Sequence, residues 1–295
     1  MNALIDTHCH LDAGEFDRDR DAAFARARAT GVATQVVPAV TRANFADVAA
    51  TCERYPGCLP AWGLHPIYIP VHRDDHLAAL RAQIAAWRPV AVGEIGLDLF
   101  VQELDFATQE KFYLEQLKIA RDYDLPVLLH CRRANDQILK HLRRIPVMGG
   151  IAHAFNGSDQ QAEAFIKLGF KLGFGGAFTW ERASNLRRLA RELPLEAIVL
   201  ETDSPDIPPQ WVGKGRNEPA ELARIAGALA ELRGLSLEEV AKATTANALD
   251  VLQLPPSSKG GWGGFSSISI PRTVEIPLDP PLKKGEENPP PEHSR

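Results

Sequence analysis

The feature that most limits the fold of this 295-residue chain is a regular alternation of short apolar segments and amphipathic, helix-like segments. Two of the segments, Pro126–Leu129 and Ile198–Leu200, are apolar throughout, which is typical of strands that are covered on both faces. The pattern predicts eight strands, at Ala3–Asp6, Thr34–Val40, Leu59–Leu64, Val90–Ile95, Pro126–Leu129, Gly150–His153, Phe170–Gly173 and Ala197–Glu201.

The segments between these strands have the pattern of amphipathic helices. One helix is predicted from about Thr108 to Tyr123, and another follows Ser236, where Ser-Leu-Glu-Glu forms a capping box with Glu239 at the third helical position. Eight strand–helix units in about 250 residues predict an α/β fold of the closed (β/α)8 TIM barrel type, in one domain. An open, doubly wound sheet is the alternative, but no glycine-rich phosphate loop follows the first strand.

The composition of the chain changes after Leu254. The last 41 residues contain nine Pro and five Gly, a share that is typical of low-complexity sequence. We therefore predict that residues 1–254 form the barrel and that residues 255–295 are a Pro/Gly-rich, disordered tail.

Charge and composition exclude several classes of protein. The chain has 33 Lys and Arg against 38 Asp and Glu, a formal net charge of −5, so a grip on long nucleic acid through many phosphates is disfavoured. Binding of one strand end or one small anion remains open. No apolar run reaches the roughly 18 residues of a membrane span, and an early carboxylate, Asp6, argues against a signal peptide. We expect a cytoplasmic monomer with four reduced cysteines.

Histidines gather at the predicted carboxyl ends of strands, the rim at which parallel barrels carry their catalytic side chains. Five of the nine histidines occupy such positions, together with two acids. Their spacing fits whole strand–helix units of about 31 residues, so all of them can meet at one rim. These strand-end residues are His8, His10, His65, Glu94, His130, His153 and Asp203.

The segment His8-Cys9-His10 adds a local argument. Side chains alternate along an extended strand, so both imidazoles face one point, while Cys9 turns away and is expected to be structural, as is Cys131. Imidazole and carboxylate ligands suit Zn²⁺ or Mn²⁺, with Mg²⁺ less natural. Six ligands exceed the needs of one four-coordinate ion, so we predict two divalent ions, held by His8, His10, Glu94, His130, His153 and Asp203.

Other residues near these positions have predicted supporting roles. His65 is expected to contact substrate, although it could also be a packing residue of the third strand. Arg132 lies nearest a strand end and is a candidate phosphate contact. Glu201, two residues before Asp203 on the same predicted strand face, is expected to support the ligands, with a buried ion pair as an equal alternative. The rest of the basic cluster is interpreted as a solvated helix face: Arg133, Lys140, Arg143 and Arg144.

Seven motifs follow one another over nearly all of residues 1–252. They are Asp6-Thr-His-Cys-His-Leu-Asp12, Gly63-Leu-His-Pro66, Gly93-Glu-Ile-Gly-Leu-Asp98, His130-Cys-Arg132, His153-Ala-Phe-Asn-Gly157, Glu201-Thr-Asp-Ser-Pro205 and Asn217-Glu-Pro219. With these motifs in this order, the chain resembles the TatD family of metal-dependent hydrolases, within the amidohydrolase-like barrels. Where many members have a tyrosine after Gly-Leu-Asp, this chain has Leu99-Phe100, which indicates a subgroup.

The resemblance implies a hydrolase of ester bonds, and several members are deoxyribonucleases that trim DNA from its 3′ end. It assigns His8, His10 and Asp203 to one ion, His130 and His153 to the other, and Glu94 to both. We therefore predict a 3′–5′ exonuclease that acts on DNA or a small phosphodiester, with Glu94 and Asp203 as catalytic residues and Asp203 as general base.

Three alternatives remain open from the sequence. The same site could hydrolyse another ester or an amide, as in removal of an amino acid from tRNA, or a small phosphate ester. The barrel could have lost its chemistry and serve as a binding module. The histidines could also be core residues that hold no metal at all.

Overall fold

The computed structural model describes residues 3–255 of the chain. Within them, eight parallel strands form one sheet in which each strand pairs with the next along the chain. The predicted tail lies outside the described residues, apart from Pro255. The strands are β1 Leu4–Asp6, β2 Val32–Pro38, β3 Cys58–Trp62, β4 Ala91–Asp98, β5 Val127–Arg132, β6 Gly150–Ala152, β7 Phe170–Phe174 and β8 Ile198–Leu200.

The predicted α/β barrel is confirmed, since every predicted strand overlaps an observed one and helices connect them. Three strands, β4, β5 and β7, are longer than predicted. β4 continues to Asp98 because its last residues still pair with the end of β5, whereas β2 keeps its predicted length but begins and ends two residues earlier, at Val32 and Pro38. The helices are α1 Arg20–Ala29, α2 Phe45–Arg54, α3 Asp74–Ala86, α4 Phe106–Asp122, α5 Asn135–Leu142, α6 Asp159–Lys167, α7 Ser184–Glu192, α8 Leu222–Arg233 and α9 Leu237–Val251.

Backbone hydrogen bonds bring the first and last strands together. The N–H of Thr7 donates to the carbonyl of Leu200 at 3.1 Å, and the N–H of Asp203 donates to the carbonyl of His8 at 2.8 Å. The sheet is therefore nearly closed into a barrel, and the seam between β1 and β8 lies directly beside two predicted site residues.

Apolar side chains fill one end of the barrel interior. They form a cluster with Ala248 and Leu252, at the end of α9, and are Ile5, Val36, Ala61, Ala91, Leu128, Ile151 and Val199. Side chains two residues apart on a strand share a face, so the residues that follow three of these toward the carboxyl rim also point inward. Those residues are His130, His153 and Glu201, which gives the barrel an apolar floor and a polar mouth.

The capping box before α9 forms as predicted. Ser236 accepts a hydrogen bond from the Glu239 N–H at 3.2 Å, and the Glu239 carboxylate accepts one from the Ser236 N–H at 2.8 Å. None of the helices in residues 3–255 has both the length and the apolar character needed to cross a membrane.

Two glycines of α8 provide a matched stability test. A methyl group added at Gly227, inside the helix, or at Gly234, its C-cap with φ of 66°, would meet no atom within 4 Å. Gly227→Ala is expected to raise the free energy of unfolding by about 0.5–1 kcal/mol, because alanine loses less backbone entropy in a helix. Gly234→Ala is expected to lower it by about 1 kcal/mol, because its φ lies in the left-handed region. Urea denaturation measures both, and shifts of the same sign would contradict the structure.

Candidate metal centre at the barrel mouth

The buried carboxylate of Glu94, on β4, lies at the centre of the predicted site. Its Oε2 lies 3.1 Å from Nε2 of His8 and 3.8 Å from Nε2 of His10. The two imidazole Nε2 atoms are 3.3 Å apart, and Oδ1 of Asp203 lies 3.7 and 3.8 Å from them. One oxygen of Glu94 therefore faces two imidazoles and a second carboxylate.

The other oxygen of Glu94 faces three more imidazoles. Its Oε1 lies 3.1 Å from Nδ1 of His130, 3.2 Å from Nε2 of His65 and 3.8 Å from Nε2 of His153. The His153 ring also stacks on the His8 ring, with centroids 3.8 Å apart. All six predicted ligands and His65 are thus brought together at one rim, as their spacing in whole strand–helix units predicted.

The alternation in His8-Cys9-His10 is also observed. The Cys9 N–H donates to the carbonyl of Val36, which keeps the chain beside β2 beyond the last residue of β1. The Cys9 side chain is fully buried, and its thiol donates to Oε1 of Gln35, away from the two imidazoles. The cysteine is a packing residue in this structure, while its two neighbours face the mouth.

Asp203 reaches the site by a turn and not by strand alternation. β8 ends at Leu200, and Asp203 has φ of 57°, in the left-handed region that few non-glycine residues adopt. The carboxylate of Asp6 holds the preceding residue by accepting hydrogen bonds from the Thr202 N–H at 2.9 Å and its hydroxyl at 2.6 Å. The expectation that Glu201 and Asp203 share a strand face was therefore wrong, because the strand has already ended.

Two outer carboxylates orient two of the imidazoles. Nδ1 of His153 lies 3.1 Å from Oε1 of Glu201, which also accepts from the Ala154 N–H at 2.6 Å. Nε2 of His130 lies 2.9 Å from Oδ2 of Asp98. In each ring one nitrogen is held by a carboxylate, while the other faces Glu94, an arrangement that fixes the ring and raises its basicity as a ligand.

The role of Asp98 was missed in the sequence analysis. A signal for it exists, because Glu94 and Asp98 are four residues apart on a strand that pairs with β5. Gly96 between them allows the two strands to approach, since a side chain there would collide with the carbonyl of His130. Sequence patterns do not show that the end of β4 lies level with His130.

Two glutamines of α4 fix the backbone of this rim. The amide of Gln109 accepts from the Asp98 N–H at 2.8 Å and donates to its carbonyl at 3.0 Å. Gln116 makes the same pair of bonds to Leu64, directly before His65. Both glutamines are buried, so their polar side chains serve to hold strand ends in place.

The site concentrates ionisable groups that burial alone would keep neutral. Burial, together with the neighbouring His153, lowers the pKa of His8 to about 4. Burial also opposes charge on His153, but the carboxylates of Glu201 and Asp203 outweigh it and raise the pKa of His153 to about 10. The pKa of Asp203 is raised to about 7 by burial, against the attraction of His153 and His10.

These donors fit divalent cations. Nitrogen and carboxylate oxygen atoms of three overlapping groups lie within 4.8 Å of one another, and Nδ1 of His8 is buried without a hydrogen-bond partner among the described residues. Lone pairs packed this closely need positive charge between them, and imidazole with carboxylate is a ligand set of borderline metals. The groups are His8, His10 and Asp203; His8, Glu94 and His153; and His65, Glu94 and His130.

The remaining candidates lie near the same cluster. His65 is almost completely buried beside Glu94, closer to the candidate ligands than a residue that only contacts substrate needs to be. Arg132 has a half-exposed side chain at the end of β5, and its Nη1 lies 4.0 Å from Oδ2 of Asp98. Among residues 3–255, none of the three candidate ligand groups contains both His130 and His153, whose ring centroids are 6.5 Å apart.

Comparison with known proteins identifies the family. The family model described as "TatD related DNase" matches residues 5–253, nearly the whole barrel. The chain belongs to the TatD family. It is therefore a metal-dependent hydrolase of the class that acts on ester bonds, and the resemblance seen in the sequence is confirmed.

Several TatD relatives are similar over almost their full length. The metal-dependent hydrolase YjjV of Escherichia coli K12 is 44% identical over 256 residues, which cover 85% of this chain and 98% of the relative. Its crystal structure superposes with a TM-score of 0.82, at 42% identity, covering 85% and 98% of the two chains. The 3′-5′ ssDNA/RNA exonuclease TatD of Cronobacter sakazakii is 34% identical, covering 83% of this chain and 96% of its own.

The central position of Glu94 predicts the metal content of a variant. Glu94→Gln is expected to lower the number of divalent ions bound per chain, because a neutral amide replaces the carboxylate that all the candidate groups surround. Elemental analysis of purified protein measures the ratio. Glu110→Gln is the control, because Glu110 pairs with His141 at 2.8 Å outside this cluster and should leave the ratio unchanged. An unchanged ratio in Glu94→Gln would exclude Glu94 as a ligand.

Proposed function

We propose that this TatD-family hydrolase is a two-metal phosphodiesterase that removes nucleotides from the 3′ end of single-stranded DNA. The observation that carries the proposal is that imidazole nitrogens approach both oxygens of Glu94, so that this carboxylate would be shared by the residues that hold two cations. The name of the Cronobacter sakazakii relative, a 3′-5′ ssDNA/RNA exonuclease, supports the choice of substrate.

The proposed ligands follow from the two sides of Glu94. His8, His10 and Asp203 would hold one ion, and His130 and His153 the other, with His65 close enough to join the second group. Bound divalent ions supply positive charge that lowers the pKa of the attacking water and stabilises charge on the attacking and leaving oxygens. Two such charges would exceed the negative charges of Glu94 and Asp203, so that an acidic protein would still attract a phosphodiester.

Asp203 is the proposed general base. Its Oδ1 faces His8 and His10, and its Oδ2 lies 3.8 Å from Nε2 of His153, so Asp203 would help to hold a cation and would still have an oxygen that can accept a proton. The side chain is 14% exposed, which leaves it accessible to a water at the mouth. Glu201 is the proposed positioning residue, because it is buried and holds Nδ1 of His153, the ring nitrogen that does not face Glu94.

The proposed activity predicts a defined product pattern. Single-stranded DNA labelled at its 5′ end should shorten step by step in the presence of Mn²⁺, Zn²⁺ or Mg²⁺, whereas a 3′ label should be released at once as a mononucleotide. EDTA should abolish both reactions. A parallel panel contains aminoacyl-tRNA, carboxyl esters, amides and small phosphate esters. If one of these compounds is hydrolysed and the DNA stays intact, the nuclease proposal is refuted. The alternative from the sequence analysis, a hydrolase of another ester or of an amide, then takes its place.

Replacement of the proposed base has a separate expected result. Asp203→Asn should lower turnover by about 10²–10⁴-fold, the usual contribution of a general base, while the circular dichroism spectrum stays that of the wild type. Single-turnover cleavage of end-labelled DNA measures the rate. The control is again Glu110→Gln, whose rate should equal that of the wild type. Turnover near the wild-type value in Asp203→Asn would refute this assignment of the base.

A further inference from the structure

Two adjacent arginines lie at the end of β5, on the rim that carries the candidate metal centre. Arg132 and Arg133 are exposed, and neither guanidinium donates a hydrogen bond to another residue in the part of the chain that the structure describes. Two other arginines near this rim do have hydrogen-bond acceptors. Arg20 and Arg216 each donate at least three hydrogen bonds, to backbone carbonyls and aspartates. Within the described residues, the one carboxylate paired with the guanidinium of Arg132 or Arg133 is that of Asp98, 4.0 Å from Nη1 of Arg132, so most of their N–H groups have no acceptor.

Phe100 holds both guanidiniums in place. The Cζ atom of Arg132 lies 3.8 Å from the centroid of the Phe100 ring, and that of Arg133 lies 4.7 Å from it. A guanidinium that packs on a ring uses its flat face, so the N–H groups along its edge stay available to a planar or tetrahedral anion. Phe100 stands in the segment where this chain departs from many members of its family.

The backbone is bent so that both side chains reach the Phe100 ring. Successive side chains of a strand point to opposite faces, so Arg132 and Arg133 would diverge if β5 continued. Instead, Arg133 has φ of 55°, in the left-handed region that a bulky residue adopts only at some cost. Strain of this kind is concentrated at binding and catalytic sites, where the surrounding fold enforces it.

The carboxylate of Asp98 lies between the arginines and the candidate metal centre. Oδ2 of Asp98 lies 2.9 Å from Nε2 of His130 and 4.0 Å from Nη1 of Arg132. An anion held by the guanidiniums would thus lie beside the cations that bind the phosphate to be cleaved, but separate from them.

We propose that Arg132 and Arg133, held over Phe100, bind a second, doubly charged phosphate of the substrate. Two guanidiniums carry two positive charges. A phosphodiester inside a strand carries one negative charge, whereas a terminal phosphate monoester carries nearly two at neutral pH. The substrate class is therefore a nucleotide chain that ends in a phosphate monoester. This inference rests on the proposed phosphodiesterase function.

The other basic residues of the cluster do not share this environment. Arg143 and Arg144 follow the carboxyl end of α5, a helix that starts near the mouth and runs back along the barrel, so they lie at the opposite end of the molecule. They remain interpretable as a solvated surface. Arg143 therefore provides a control of equal charge outside the proposed subsite.

The test compares short single-stranded oligodeoxynucleotides that carry a 5′-phosphate, a 3′-phosphate or neither. The metal-loaded wild type is expected to show a kcat/KM at least about tenfold higher for one phosphorylated form, which also identifies the end that is bound. Arg133→Gln should bring the ratio close to one, and Phe100→Leu should lower it about two- to fivefold. Arg143→Gln should keep the wild-type ratio. A wild-type ratio of one, or a high ratio that Arg133→Gln leaves unchanged, would overturn the subsite.

A binding measurement separates this inference from the proposed function. If no oligonucleotide is cleaved, the phosphodiesterase proposal fails, and calorimetry with deoxyadenosine 5′- and 3′-monophosphates still tests the arginines. Arg133→Gln should weaken binding of one nucleotide to the metal-loaded protein about tenfold relative to Arg143→Gln. Equal affinities of the two variants for both nucleotides would refute the subsite.

Discussion

The buried carboxylate of Glu94 is the group on which the rest of the site depends. A carboxylate without water is strongly unfavourable unless positive charge or hydrogen-bond donors surround it. Here both oxygens face imidazoles, which come from the ends of β1, β3, β5 and β6. No pair of neighbouring strands could supply that shell. The closed barrel is what makes the buried charge tolerable, because it brings distant parts of the chain to one rim.

The site also requires that neighbouring strands approach each other closely. A side chain at Gly173, on β7, would collide with the carboxylate of Glu201, just as one at Gly96 would collide with β5. The carboxylate of Glu201 has room beside β7 because residue 173 has no side chain, and β4 lies close enough to β5 for Asp98 to reach His130 because residue 96 has none. The candidate metal centre thus depends on glycines that are not themselves candidate ligands. It would lose its geometry if these glycines were replaced.

The sequence predicts what depends on regular periodicity. Alternation yields the eight strands, the shared direction of His8 and His10 and the outward turn of Cys9, and a capping box marks the start of α9. Prediction from the sequence fails where the chain leaves regular secondary structure. Asp203 reaches the site through a left-handed turn, and the closeness of His65 to Glu94 depends on how far one strand is shifted along its neighbour. Both are tertiary effects that local patterns do not encode.

Left-handed backbone at non-glycine residues shows where the fold has been adapted to chemistry. Residues 3–255 contain six such positions, and four of them, Arg133, Ala154, Asp203 and Ile207, lie in the segments that follow β5, β6 and β8. The sheet before each segment and the helix after it fix both ends, so the strained conformation between them is retained. Since the barrel is common to hydrolases with many substrates, selectivity has to arise in these segments. The convergence of Arg132 and Arg133 on Phe100 is a case in point, because it requires one turn at the rim and no change in any strand.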